Sequence, residues 1–176
     1  MGSQVHRLSV SNLLISSPEI GTAPITIGQI AEHLRPLVPD VAANKERLRY
    51  WTNEGLLSPI KRKLRAGTGR HRRYDVSRIF DAAALNLIAA SGLQIARGYL
   101  LDALSQARLA FQNWSGGALF LEISYAAANG IPKINIHEGE VPSNPTARIS
   151  IILNLVQILK DARLQVTRRN AEESQL

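Results

Sequence analysis

At Ser115-Gly116-Gly117 the hydrophobic period of this chain changes, and that change limits the folds open to it. Upstream, apolar residues recur every three or four positions, the spacing of one helix face. Val76, Ile79, Phe80, Ala83, Ala84, Leu87 and Ile88 do so over three turns. Downstream, Leu119, Leu121, Ile123 and Tyr125 alternate with Phe120, Glu122 and Ser124, the spacing of a strand. Ile134 and Ile136 alternate with Lys133, Asn135 and His137, and Ile149, Ile151, Leu153 and Leu155 alternate again after a loop over 139–145. Leu155, Ile158, Leu159 and Ala162 return to helical spacing. The expectation is a strand to about residue 154 with a helix after it, or one continuous helix over the same stretch. The chain is therefore mainly α with a small β component.

Charge divides the chain in a similar way. Residues 1–80 hold thirteen Lys/Arg against six Asp/Glu, whereas residues 81–176 hold eight of each. The net charge of +7 thus lies wholly in the first half, which points that half toward a nucleic acid or an anionic membrane. The chain has no cysteine, so disulfides, thiolate metal sites and cysteine nucleophiles are excluded. No stretch approaches the roughly twenty apolar residues of a membrane span. The first residues lack the basic and apolar regions of a signal peptide. The expected setting is the bacterial cytoplasm.

Residues 1–22, rich in serine, are expected to be a flexible leader or arm, within which residues 10–15 could instead form a short apolar turn or strand. Thr26 and Gln29 have capping-box spacing, and Ile27, Ile30, Ala31 and Leu34 follow as an amphipathic stripe. Pro36 and Pro39 end this helix or follow its end, and residues 38–43 make a turn. Asn44 is the expected N-cap of a second helix over residues 45–53, which Gly55 stops. Residues 56–60 read as a strand entry, and Ala66-Gly67-Thr68-Gly69 as the tip of a hairpin between two basic arms. A third helix is expected from Asp75 and a fourth over 93–114. In the fourth, Leu93, Ala96, Leu100, Ala103, Ala107, Ala110 and Trp114 fit either a core helix or a dimer seam.

Between Lys45 and Arg78 there are eleven basic and three acidic residues, a net of +8 within one helix and one hairpin. Solvated surfaces usually mix their signs more evenly. The candidate DNA-binding residues are Asn44, Lys45, Arg47, Arg49 and Tyr50 on the helix. Lys61, Arg62, Lys63, Arg65, Arg70, Arg72 and Arg73 join them on the hairpin. With Asn44 as the cap, Lys45 to Arg47 occupy the first turn, where a helix in the major groove meets base edges. Arg49 and Tyr50, further along, suit backbone phosphates, and the hairpin arginines suit a neighbouring phosphate or the minor groove.

Four blocks now stand in order: Ile27-Gly28-Gln29-Ile30-Ala31, Leu48-Arg49-Tyr50-Trp51, Gly55-Leu56-Leu57-Ser58-Pro59 and Arg72-Arg73-Tyr74. Over about residues 25–91 this order resembles the winged helix-turn-helix domain of MerR-type transcription regulators. The resemblance implies a cytoplasmic, dimeric regulator that binds and distorts an operator or promoter. Arg49, Tyr50 and Arg72 would hold the backbone, and Lys45 to Arg47 would sit in the groove. The chain departs from the family in three ways. The turn between the first two helices is longer by about seven residues. Arg47 stands where a threonine is usual. A Gly-Gly break and strands replace the family's long antiparallel dimerisation helix.

The expected organisation is a leader over 1–22, a winged helix-turn-helix over 23–92 and a linking or dimerisation helix over 93–114. A small α+β domain over 115–166 and a polar tail over 167–176 complete it. His137, Glu138 and Glu140 lie close together but read best as a strand end with solvated carboxylates, so no metal is expected. Phe111, Trp114, Phe120 and Tyr125 read as core ahead of a ligand pocket. His6, His33, His71 and His137 are scattered without a nucleophile or carboxylate partner in sequence, and no phosphate loop is present, so neither an enzyme nor a cofactor is expected. The expected partners are double-stranded DNA and a second copy, with RNA polymerase or another protein as a further candidate. The rival expectations are an excisionase-like or architectural DNA-bending protein, and an adaptor whose C-terminal domain binds a protein.

Overall fold

The alternating stretch after Gly117 forms an antiparallel sheet with its most apolar strand in the middle. The structure, a computed structural model, describes residues 13–16, 18–19, 21–60, 72–126, 130–141 and 147–168. Its elements run β1 (Leu13–Ser16), α1 (Ile27–His33), α2 (Val41–Asn53), α3 (Arg78–Ala90) and α4 (Arg97–Asn113). There follow β2 (Leu119–Ala126), β3 (Pro132–Glu138), β4 (Ala147–Asn154), α5 (Leu155–Asp161) and β5 (Gln165–Arg168). The class is α+β. The three-stranded sheet has the order β3-β2-β4. Its register sets Leu121 between Ile136 and Leu153, and Ile123 between Ile134 and Ile151. One face of the sheet is thus aliphatic across all three strands, as the period of two requires.

The strand does give way to a helix at Asn154. Its side chain accepts from the Gln157 amide at 2.9 Å, satisfying a donor that the new helix leaves open. The capping box at Thr26 also forms. Its hydroxyl accepts from the Gln29 amide, and the Gln29 side chain accepts from the Thr26 amide.

The second helix begins earlier than Asn44. Asp40 is its N-cap, accepting from the Ala43 amide at 2.9 Å. Aspartate caps as well as asparagine, and a start at Val41 places Asn44, Leu48, Trp51 and Thr52 on one buried face. Asn44 is therefore a buried interior residue, not a cap exposed to a ligand, and Lys45 to Arg47 lie beyond the first turn. Burying a side chain such as Leu48 contributes about 1.5–3 kcal/mol. At the other end, Gly55 takes φ 72°, and the Leu56 and Leu57 amides both donate to the Trp51 carbonyl.

Two further helices start later than their apolar spacing suggests. Arg78 opens α3, after Asp75 has accepted from the Ser77 amide. Arg97 opens α4, leaving 93–96 as an extended link. Ala103 and Ala107 of the heptad spacing are buried inside the chain beside Leu104 and Phe111. Phe111 meets Phe80 and Trp114 edge to face, with ring centroids 5.5 and 5.8 Å away. Phe120 is buried as well.

One apolar core runs from Ile25 to Leu164, so the helices of the basic half and the sheet share it. The His33 imidazole donates from Nε2 to the Ala162 carbonyl over 2.6 Å, tying the end of α1 to the end of α5. Arg163, with φ 48°, pairs with Glu19 at 2.7 Å. Leader and tail also meet. Here β1 pairs antiparallel with β5, setting Leu14 against Thr167 and Ile15 against Val166. Residues 13–16 are thus a strand, as their apolar run allows, and Thr167 and Arg168 belong to another. The pairing joins segments about 150 positions apart, which local spacing cannot express.

Candidate nucleic-acid interface

Lys45, Arg49 and Asn53 repeat every four residues and so share a flank of α2. That flank faces the start of α1, and the two enclose an open groove of about 610 Å³. Thr26, Ile27 and Gly28 form one wall, and Arg72 closes the end. The Arg72 guanidinium donates to Asn53 Oδ1 at 3.1 Å, which holds it over α2. Arg49 is paired along the helix with Glu46. Lys45 has no ion-pair partner among the described residues. Three cations thus converge on one groove, and among the described residues no carboxylate lines it.

Arg72 is brought there by the chain around it. Ile25 and Tyr74 exchange both backbone hydrogen bonds, at 2.9 and 2.8 Å. The Ile60 amide donates to the Arg73 carbonyl at 2.7 Å, so the two arms meet at the base of the expected hairpin. Tyr74 is fully buried, and Arg72, two residues before it, lies beside the end of α2, where it meets Asn53.

The excess of positive charge falls away along α1. A second depression, of about 490 Å³, shares Thr26, Gly28 and Lys45 with the groove but is lined further on by Glu19, Glu32 and His33. At that end Glu19 pairs with Arg163 and Glu32 with Arg35 at 2.9 Å, so the charge is balanced there and the excess of cations lies at the Arg72 end.

The residues singled out from the sequence thus separate into five groups. Lys45, Arg49 and Arg72 come together. Tyr50 is 60% exposed on the outer face of α2, and Arg73 is exposed beside its own bonded carbonyl. Arg47 lies on the opposite flank, against α3, where its guanidinium donates to Asn86 Oδ1 at 2.7 Å. Asn44 is buried, with its Oδ1 accepting from Asn86 at 3.2 Å. Lys61, Arg62, Lys63, Arg65 and Arg70, with the hairpin tip, lie outside the described residues. Two residues were not singled out: Asn53, which its four-residue spacing from Arg49 marks, and Asn86, which nothing local marks.

Elsewhere, His137 is committed to a neighbour. Its Nε2 lies 2.9 Å from Glu122 Oε2, diagonally across β2 and β3, while Glu138 and Glu140 are exposed. Among the described residues no group of three or more His, Asp or Glu could hold a metal ion, and no helix is long and apolar enough to cross a membrane. No family model matches the chain, and no curated protein is similar to it at a significant level.

Proposed function

We propose that this protein is a sequence-specific DNA-binding transcription regulator of the MerR type. Under this reading α1 and α2 act as a helix-turn-helix, and the segment from Ile60 to Arg73 acts as a wing. The observation that carries it is the convergence of Lys45, Arg49 and Arg72 on one groove beside the exposed face of α2. Phosphates attract such a cluster, and each one neutralised releases counterions. The outer face of α2, with Tyr50, enters the major groove, and Lys45, Arg49 and Arg72 fix its register on the backbone. Pairing of two copies on a near-palindromic site belongs to the same proposal.

Selection of bound fragments from sheared bacterial genomic DNA at physiological salt tests it. Recovery of a few near-palindromic promoter sites is the expected result. Even recovery across the genome, with strong bending, favours an architectural protein. No recovery, together with capture of a protein by the full chain, favours an adaptor.

A further inference from the structure

Arg47 differs from the other cations of α2 in what holds it. Its guanidinium donates to Asn86 Oδ1, while Asn86 Nδ2 donates to the Ala82 carbonyl at 2.9 Å and to Asn44 Oδ1 at 3.2 Å. Asn86 is 4% exposed and Asn44 is fully buried. A cation at an exposed helix position is therefore anchored through two buried amides on two helices. An apolar pair would join α2 to α3 without desolvating polar atoms. The amide pair leaves Asn44 Nδ2 with no hydrogen-bond partner among the described residues. What it adds is a fixed acceptor beside Arg47. With one N–H anchored, the remaining donors of the planar guanidinium point in a set direction.

A phosphate contact tolerates a mobile cation, whereas a base edge requires paired donors of fixed direction. We infer that Arg47 is the side chain that discriminates among duplex sequences, and that Asn86 is the residue positioning it. This rests on the proposed DNA-binding function and assigns a division of labour within it. Lys45, Arg49 and Arg72 hold the backbone on one flank of α2, and Arg47 reads sequence from the other.

The test measures preference for a selected duplex over a scrambled one, with the full chain. Arg47→Lys keeps the charge and removes the fork, so preference should fall roughly 5- to 150-fold. Asn86→Ala should reduce preference similarly, and should remove no further preference in the Arg47→Lys background. Asn86→Asp keeps an acceptor for Arg47, and the Asn44 amide can turn its Nδ2 toward the new oxygen. That oxygen meets the Ala82 carbonyl without a hydrogen, so this variant should retain part of the preference that Asn86→Ala loses. A merely structural Asn86 would lower the melting temperature without this dependence on Arg47. Preference surviving Arg47→Lys overturns the inference, as does an Asn86→Asp variant as indiscriminate as Asn86→Ala. If Asn86→Ala does not fold, Arg47→Lys and Asn86→Asp carry the test alone. Wild-type protein that binds every duplex equally, with a normal salt dependence, overturns this inference and leaves DNA binding standing. Wild-type protein that binds no duplex removes the parent reading.

Discussion

The Thr52 hydroxyl lies 3.1 Å from the phenol oxygen of Tyr74, with both side chains buried. Thr52 donates to the Leu48 carbonyl at 2.8 Å, so the phenol is the donor in this second bond. Tyr74 is also held by its backbone to Ile25. The segment before α1, the end of α2 and the arm carrying Arg72 are therefore tied at one point. Tyr74→Phe should cost about 1 kcal/mol, the usual net value of one internal hydrogen bond. It should appear as a lower urea midpoint with an unchanged m-value. A Tyr74→Phe protein as stable as wild type would mean that the hydroxyl does not tie these elements.

The groove cations make a prediction about salt. Arg49→Ala and Arg72→Ala should each weaken binding to all duplexes alike and lower the slope of log affinity against log salt by about one. Glu46→Gln should act in the opposite direction. It removes the carboxylate paired with Arg49, so under the proposed function affinity should rise about two- to five-fold, the range of an exposed ion pair. Fluorescence anisotropy of a labelled duplex across a salt series reads both effects. A slope unmoved by Arg72→Ala would take that residue off the backbone.

Gly55 is held by its backbone conformation. At φ 72° a side chain is strained, and an added Cβ would also lie 2.8 Å from the Arg97 Nη2. Arginine ends move easily, so the conformation sets most of the cost. Gly55→Ala should lose about 1–2 kcal/mol, and adding Arg97→Ala should recover little of it. Full recovery in the double variant, seen by thermal or urea unfolding, would assign the constraint to the arginine instead.

These residues also mark where sequence reasoning holds. Interactions between near neighbours are legible: the Thr26–Gln29 box, the glycine stop at 55, the alternation of β2 to β4, and the change to helix at Asn154. Each depends on residues within about one turn or one strand. Asn44 does not cap α2 because aspartate four positions earlier caps equally well, and packing against α3 decides between them. The convergence of Arg72 with Lys45 and Arg49 depends on the bridge between Ile25 and Tyr74, and the anchoring of Arg47 depends on Asn86. The β1–β5 pairing spans nearly the whole chain. Contacts of this kind leave no local period, so charge revealed that a basic surface exists and the fold selected which cations share it.

The carboxylate of Asp81 gives stability a pH dependence whose sign is set by burial. Asp81 is fully buried on α3, with Oδ2 accepting from Arg78 at 2.6 Å and from Arg108 of α4 at 2.9 Å. Burial pushes its pKa up from the ordinary 3.8, against the opposing pull of Arg108 and Arg78. The folded protein thus holds this proton more tightly than the unfolded chain does. The stability contributed is full below the unfolded value and is lost as pH rises through the raised folded value. Asp81→Asn should flatten that decline. Arg108→Ala removes the stronger compensating charge, so the folded value should rise further and the decline should steepen. Its cost should be about 3 kcal/mol at neutral pH, as for a buried pair losing one partner, and should shrink in acid as the carboxyl becomes neutral in both proteins. Urea unfolding across a pH series distinguishes this from lost packing, because a packing defect would penalise Arg108→Ala equally at every pH.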